Sequence, residues 1–238
     1  MGDAVTRWLM VALLPWMMGF SPNDPAWMAS DRLDARRGAP VAGTFWLMTD
    51  LASWEALPGS MALRLASGRE PSSGAGLRVA FRSLRWPDGT MNDLEGAFIF
   101  RRSRWRGECA VGQSRFEGHQ AARCSPRFLI AVSPHLVTGG AITFFPGSAS
   151  SVPEFEIEAR GAAGPWLLGL ALYDNASEAA IGIEARPGLA VIARYANDVP
   201  ALGIVWDARF LEVRAEAEDH PLLGRTARFA IRWMRGRP

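Results

Sequence analysis

Residues 154–160 read Glu154-Phe155-Glu156-Ile157-Glu158-Ala159-Arg160. Side chains alternate faces along a strand, so Glu154, Glu156 and Glu158 share one face while Phe155 and Ile157 share the other. Three like charges in a row repel, and such crowding raises the pKa of at least one carboxyl, as a general acid requires. A nucleophilic carboxylate beside a protonated one is the apparatus of retaining glycoside hydrolysis. The same alternation also describes the solvated face of an ordinary half-buried strand.

Outward from this strand, residues 43–49, 61–66, 77–83, 97–103, 128–132, 141–146, 166–173, 179–185, 188–195, 202–207, 209–216 and 226–234 form short apolar or alternating runs. Turn signals punctuate them: Pro58-Gly59, Pro71-Ser72-Ser73-Gly74, Pro87-Asp88-Gly89, Gly139-Gly140 and Pro187-Gly188. Many closely spaced strands with Gly/Pro punctuation argue for an all-β sandwich or barrel. The simplest organisation is one β domain over 40–238, preceded by a separate segment at 1–30.

In that segment Arg7 precedes an apolar run from Trp8 to Phe20, and Asp24 closes it. The run has the shape of a secretory signal and is shorter than the roughly 20 residues of a comfortable transmembrane helix. An uncleaved anchor or an amphipathic N-terminal helix is the other reading, and the signal-like shape predicts export to a secreted or periplasmic location. Cys109 and Cys124 are the only cysteines. As an oxidised pair they would close a loop worth about 3 kcal/mol, whereas in a reducing compartment they would be two unrelated thiols.

Composition excludes several classes. Apolar residues make up 49% of the 238 and charged residues 21%, enough for a core and against global disorder. A net charge of +2 gives no reason to expect a nucleic-acid partner. All 26 basic residues are arginine, which removes Schiff-base and P-loop chemistry. The ten tryptophans fit either a large core with a membrane-proximal N-terminus or a cleft that stacks sugar rings. Asp93 and Glu95 share a strand face and read as ligands for sugar hydroxyls or a structural calcium ion, or as a hairpin edge. The basic stretch 101–106 beside Trp105 reads as an anion-attracting patch or as an arginine-rich edge strand.

The stretch Gly139-Gly140-Ala141-Ile142-Thr143-Phe144-Phe145, a short variable loop, and then Glu154-Phe155-Glu156-Ile157-Glu158 resembles glycoside hydrolase family 16, the laminarinase and lichenase group. Gly203-Ile204-Val205-Trp206-Asp207 is similar to a later strand of that family. The resemblance implies a concanavalin A-like β-jelly-roll sandwich that cleaves or transfers within a β-linked glucan or exopolysaccharide. Glu154 would be the nucleophile, Glu158 the general acid/base and Glu156 the helper. Phe144, Phe145, Trp206 and Trp105 would line the cleft, with polysaccharide as the partner and no cofactor beyond a structural calcium. Glu156 replaces the family's Asp, and Ala201 and Gly203 replace its His and Tyr. These departures support an alternative, a non-catalytic carbohydrate-binding or envelope/membrane-assembly protein on the same fold, in which the N-terminal segment would associate with a membrane.

Overall fold

The computed structural model describes residues 45–235, apart from positions 57–58, 70, 72, 88, 117–118, 134, 147–152, 175, 197–198, 209 and 221–223. The N-terminal segment read as a signal or anchor lies outside the described residues.

Fourteen strands follow one another along the chain. They are β1 (Phe45–Trp54), β2 (Met61–Arg69), β3 (Gly74–Trp86), β4 (Gly89–Arg102), β5 (Trp105–Phe116), β6 (His119–Ser133), β7 (Leu136–Thr143), β8 (Glu154–Ala163), β9 (Trp166–Tyr173), β10 (Ala176–Arg186), β11 (Leu189–Ala196), β12 (Val199–Asp207), β13 (Leu211–His220) and β14 (Gly224–Arg235). Each pairs antiparallel with its sequence neighbour, and β1 pairs with β14 from Phe45↔Arg235 to Trp54↔Thr226. The sheet is therefore a closed barrel with no free edge. This corrects the jelly-roll expectation: a sandwich would split these strands between two sheets, whereas here one continuous ladder returns to its start.

Turns between strands are short. Gly59, Gly74 and Gly188 take positive φ of 80°, 84° and 81°, where glycine is the least strained residue. Ser103, φ 50°, turns the chain between β4 and β5 within the basic stretch. That stretch is a hairpin, not an edge strand, and the barrel has no edge to protect. The Gly139-Gly140 signal falls inside β7 and marks no turn.

The two faces of the wall are inverted relative to a water-soluble protein. Along β1, Met48, Asp50, Ala52 and Trp54 are buried, while Phe45, Leu47 and Leu51 are exposed. The same parity runs round the barrel. Outward side chains are large and apolar, from Phe81 at 37% exposed to Leu77 at 65%. Inward side chains are mostly small or charged: Ala62, Ala66, Ala80, Ala97, Ala171, Ala190 and Ala230, with Asp50, Arg64, Arg78, Arg82, Asp93, Glu95, Glu158, Glu212 and Arg214. A soluble monomer rarely exposes a contiguous apolar patch beyond a few hundred Å². An apolar band all round a closed barrel is instead the outer surface of a transmembrane β-barrel. No described helix is long and apolar enough to cross a membrane, and barrels cross with strands. Strands of 8 to 15 residues match the roughly 9–11 tilted residues that span the hydrocarbon layer.

Aromatic residues mark one rim. Phe45, Trp105, Trp166, Trp206, Phe210 and Trp233 all lie at the end of the barrel where β1 begins, and all are 41–51% exposed. Trp105 packs on Phe128 with ring centroids 4.7 Å apart. Trp and Tyr settle at the membrane–water boundary because one part of the ring is apolar and another hydrogen-bonds.

Ile181 lies midway along β10 and points outward at 48% exposure. Ile181→Arg is expected to destabilise the barrel in lipid vesicles by about 2–4 kcal/mol. Urea unfolding followed by tryptophan fluorescence measures this, and an unchanged midpoint would contradict the assignment of that face to lipid.

Candidate functional site

The buried charged side chains belong to the inward face, where they form two ladders that run sideways along the wall. The first crosses β3 to β8. Arg78 of β3 donates to Glu95 of β4 at 2.7 Å and also to Glu108 of β5. Arg123 of β6 bonds Asp93 at 2.8 Å and Glu95 at 2.6 Å. Arg127 of β6 donates to both oxygens of Glu156 at 3.0 and 2.9 Å, and its other terminal nitrogen lies 3.7 Å from Glu158. Arg160 donates through Nε to Glu158 at 2.8 Å.

The second ladder crosses β10 to β1. Arg194 of β11 reaches Glu178 of β10 at 3.1 Å, and Glu216 and Glu218 of β13, the latter at 2.7 Å. Arg214 also bonds Glu216. Arg232 of β14 donates to Glu212 of β13 at 2.6 Å, and Arg228 donates to Asp50 across the β14–β1 seam at 2.8 Å.

Many of these contacts skip a strand, and the skipped strand carries small inward residues. Ala201 sits between Arg194 and Glu218, and Gly203 faces Glu216. Gly112 faces Arg123, and a Cβ there would stand 3.1 Å from the guanidinium carbon. Small residues thus clear the space over which long charged side chains lie flat. Charge–charge hydrogen bonds are the strong class, and they are needed here because an unpaired charge held away from water costs several kcal/mol.

The residues singled out in the sequence are divided between the two faces. Glu156 and Glu158 lie side by side on the inward wall, 8% and 1% exposed, and are taken up by Arg127 and Arg160. Glu154 shares their face at the barrel end but is exposed. Trp105, Phe144 and Trp206 are on the outward side, at 45, 44 and 46% exposure, and Phe145 follows the end of β7 half-buried. The expected sugar cleft therefore does not form: its carboxylates and its aromatics face opposite sides of one sheet. Asp93 and Glu95 are engaged by arginines in the first ladder. Cys109 and Cys124 are free thiols on the outward side of β5 and β6, where Cys124 pairs in register with Val111. Most of the ladder residues are not legible as a site in the sequence because their partners stand on other strands, which spacing along one strand does not reveal. The run Arg78-x-x-x-Arg82 with Asp93-x-Glu95, all at even spacing, was the available sign.

Gly139-Gly140, which opened the family-16 resemblance, has a packing explanation. A Cβ on Gly139 would lie 2.1 Å from the Phe128 carbonyl oxygen, and one on Gly140 2.4 Å from that of Glu156. The pair lets β7 approach both neighbours closely.

No family model and no curated protein matches this sequence. Solved structures do match its fold. The outer membrane protein Omp33 of Acinetobacter baumannii superposes with a TM-score of 0.57 at 11% identity, over 81% of this chain and 98% of that one. A structure described as a bacterial polysaccharide outer membrane secretin gives 0.55 at 9%, over 79% and 97%. At these identities the likeness is one of fold. It replaces the jelly roll of the glycoside hydrolase reading with a closed barrel of the kind seen in those outer-membrane structures. Among the described residues the surface suited to lipid is the apolar band of the barrel wall.

Two sets of variants test this account. Gly139→Ala and Gly140→Ala should each cost about 1–3 kcal/mol through overpacking, while Gly96→Ala, with open space around its Cβ, should be neutral in the same unfolding assay. Arg228→Ala should cost about 3–5 kcal/mol by stranding Asp50, and Asp50→Ala added to it should recover most of the loss. An Arg228→Ala variant as stable as the wild type would remove the seam pair from the stability argument.

Proposed function

We propose that this chain is a bacterial outer-membrane β-barrel whose charged interior passes small polar solutes. The observation that carries the reading is the inversion of the wall, with large apolar side chains outside and arginine–carboxylate ladders inside. A barrel needed only as an anchor is most simply filled with apolar side chains, because ion pairs cost desolvation that packed hydrocarbon does not. A wall of alternating charges is instead suited to solutes that arrive hydrated and exchange water for fixed polar groups. The likeness to outer-membrane structures supports the compartment.

A polysaccharide partner fits within this proposal as a solute of the interior, not as a substrate for cleavage. The fold likeness to a bacterial polysaccharide outer membrane secretin supports that reading.

Reconstitution into planar lipid bilayers tests the proposal. Stepwise ion conductance is expected from protein whose insertion is verified by protease protection, and soluble anionic oligosaccharides should reduce the current if polysaccharide is the solute. Inserted protein that leaves the bilayer at its baseline conductance would overturn the channel reading.

A further inference from the structure

Arg64 of β2 stands directly opposite Arg82 of β3 in the strand register, with Arg78 on the same inward face of β3. Like charges placed opposite each other on a sheet repel. Arg64 is 3% exposed and Arg82 7%. Buried guanidinium groups are normally enclosed by acceptors, but these are not. Nε and Nη1 of Arg64, and Nε and Nη2 of Arg82, are buried with no hydrogen-bond partner.

The acids close enough to answer them are already engaged. Among the charged groups that act on Arg64, Arg82 and Arg78 are cations, and Asp50 and Glu95 are anions. Asp50 accepts from Arg228 across the seam. Glu95 accepts from Arg78 and Arg123. Arg82 lies at ion-pair distances of 3.4 Å from Asp93 and 3.6 Å from Glu95, yet its Nη2 completes no hydrogen bond. Across the sheet the row runs Asp50, Arg64, Arg82, Asp93, so each arginine has one already engaged acid on its far side, and the next inward pair, Ala66 and Ala80, carries only methyl groups.

We propose that Arg64 and Arg82, supported by Arg78, form an oxyanion site on the inner wall that takes a carboxylate or phosphate group of a small solute. The planar guanidinium fork matches both groups in geometry, and one anion accepts from two arginines at once. Binding supplies the missing acceptors and neutralises the facing charges. The long arginine stems let the head groups turn from the wall toward the solute. The proposal deepens the channel reading and rests on it only for the route by which the anion arrives.

The test uses the whole barrel refolded in detergent micelles, where no membrane or current is involved. Inorganic phosphate and, separately, acetate are titrated by calorimetry, with chloride holding ionic strength constant, and the thermal unfolding midpoint is followed in parallel. Saturable binding to one site and a rising midpoint are expected. The stronger of the two anions identifies the ligand group. Arg64→Gln and Arg82→Gln should each weaken binding at least tenfold, and Arg64→Lys, which keeps the charge but loses the fork, should weaken it by less. Arg115→Gln, on the exposed outward side of β5, should leave it unchanged. Since two independent positions are tested, failure of one variant to fold leaves the other to decide. Absence of saturable binding, or equal affinity in the folded Arg64 and Arg82 glutamine variants, would overturn the site. Binding without bilayer conductance would keep the site and remove the channel, and conductance without binding would do the reverse.

Discussion

A polypeptide inside a hydrocarbon layer has no water to satisfy its backbone, so every N–H and C=O in the wall must find a partner within the sheet. The β1–β14 ladder meets that constraint. Its ten register pairs, Phe45↔Arg235 through Trp54↔Thr226, turn an open fourteen-stranded sheet with two bare edges into one with none. The placement of side chains follows from this closure. Once the wall is continuous it separates two media, and the pleat sends alternate side chains into each. Leu, Ile, Val, Phe and Trp go to the outer medium, and arginine, glutamate, aspartate and alanine to the inner.

The inner face answers a second requirement. Charges held on a wall at low exposure must be matched nearby, and most of the ion pairs connect strands one or two apart along the circumference. Arg127 reaches Glu156 over β7, and Arg194 reaches Glu216 over β12. Each ladder depends on intervening glycine and alanine, so small residues and long charged ones function as a unit. Arg64 and Arg82 differ in facing each other directly, with two buried donors each left unanswered.

How much of this was legible in the sequence depends on what alternation can tell. Most of the strands and most of the glycine turns were readable, and an all-β chain followed from them. Period-two patterning cannot distinguish an apolar face turned inward from one turned outward, since Glu154-Phe155-Glu156-Ile157-Glu158 reads the same in both cases. The distinguishing sign was residue size. The polar face of nearly every strand also carries alanine or glycine, whereas the apolar face carries bulky residues, which is the reverse of a core packed with large side chains. β5 escapes the pattern because Gly107 and Gly112 interrupt its alternation and Gln113-Ser114-Arg115 is polar at both parities, and Pro126 obscures the continuity of β6. The glutamate triad was correctly placed on one strand face, but its arginine partners come from β6 and from its own strand's end, and the carboxylates alone suggested catalysis. The tryptophans were weighed as core or cleft, while Trp105, Trp166, Trp206 and Trp233 form a rim.

The wiring of the barrel also dictates the order in which it can assemble. Thirteen of the fourteen pairings join consecutive strands across short connections, so they can zip up locally with little loss of chain entropy. The remaining one brings together segments separated by almost the whole described chain. Until it forms, β1 and β14 both present unpaired backbone that will accept any strand offered to it. Seam closure thus carries the largest loop-closure cost of the fourteen pairings, and the Asp50–Arg228 contact ties the first strand to the last.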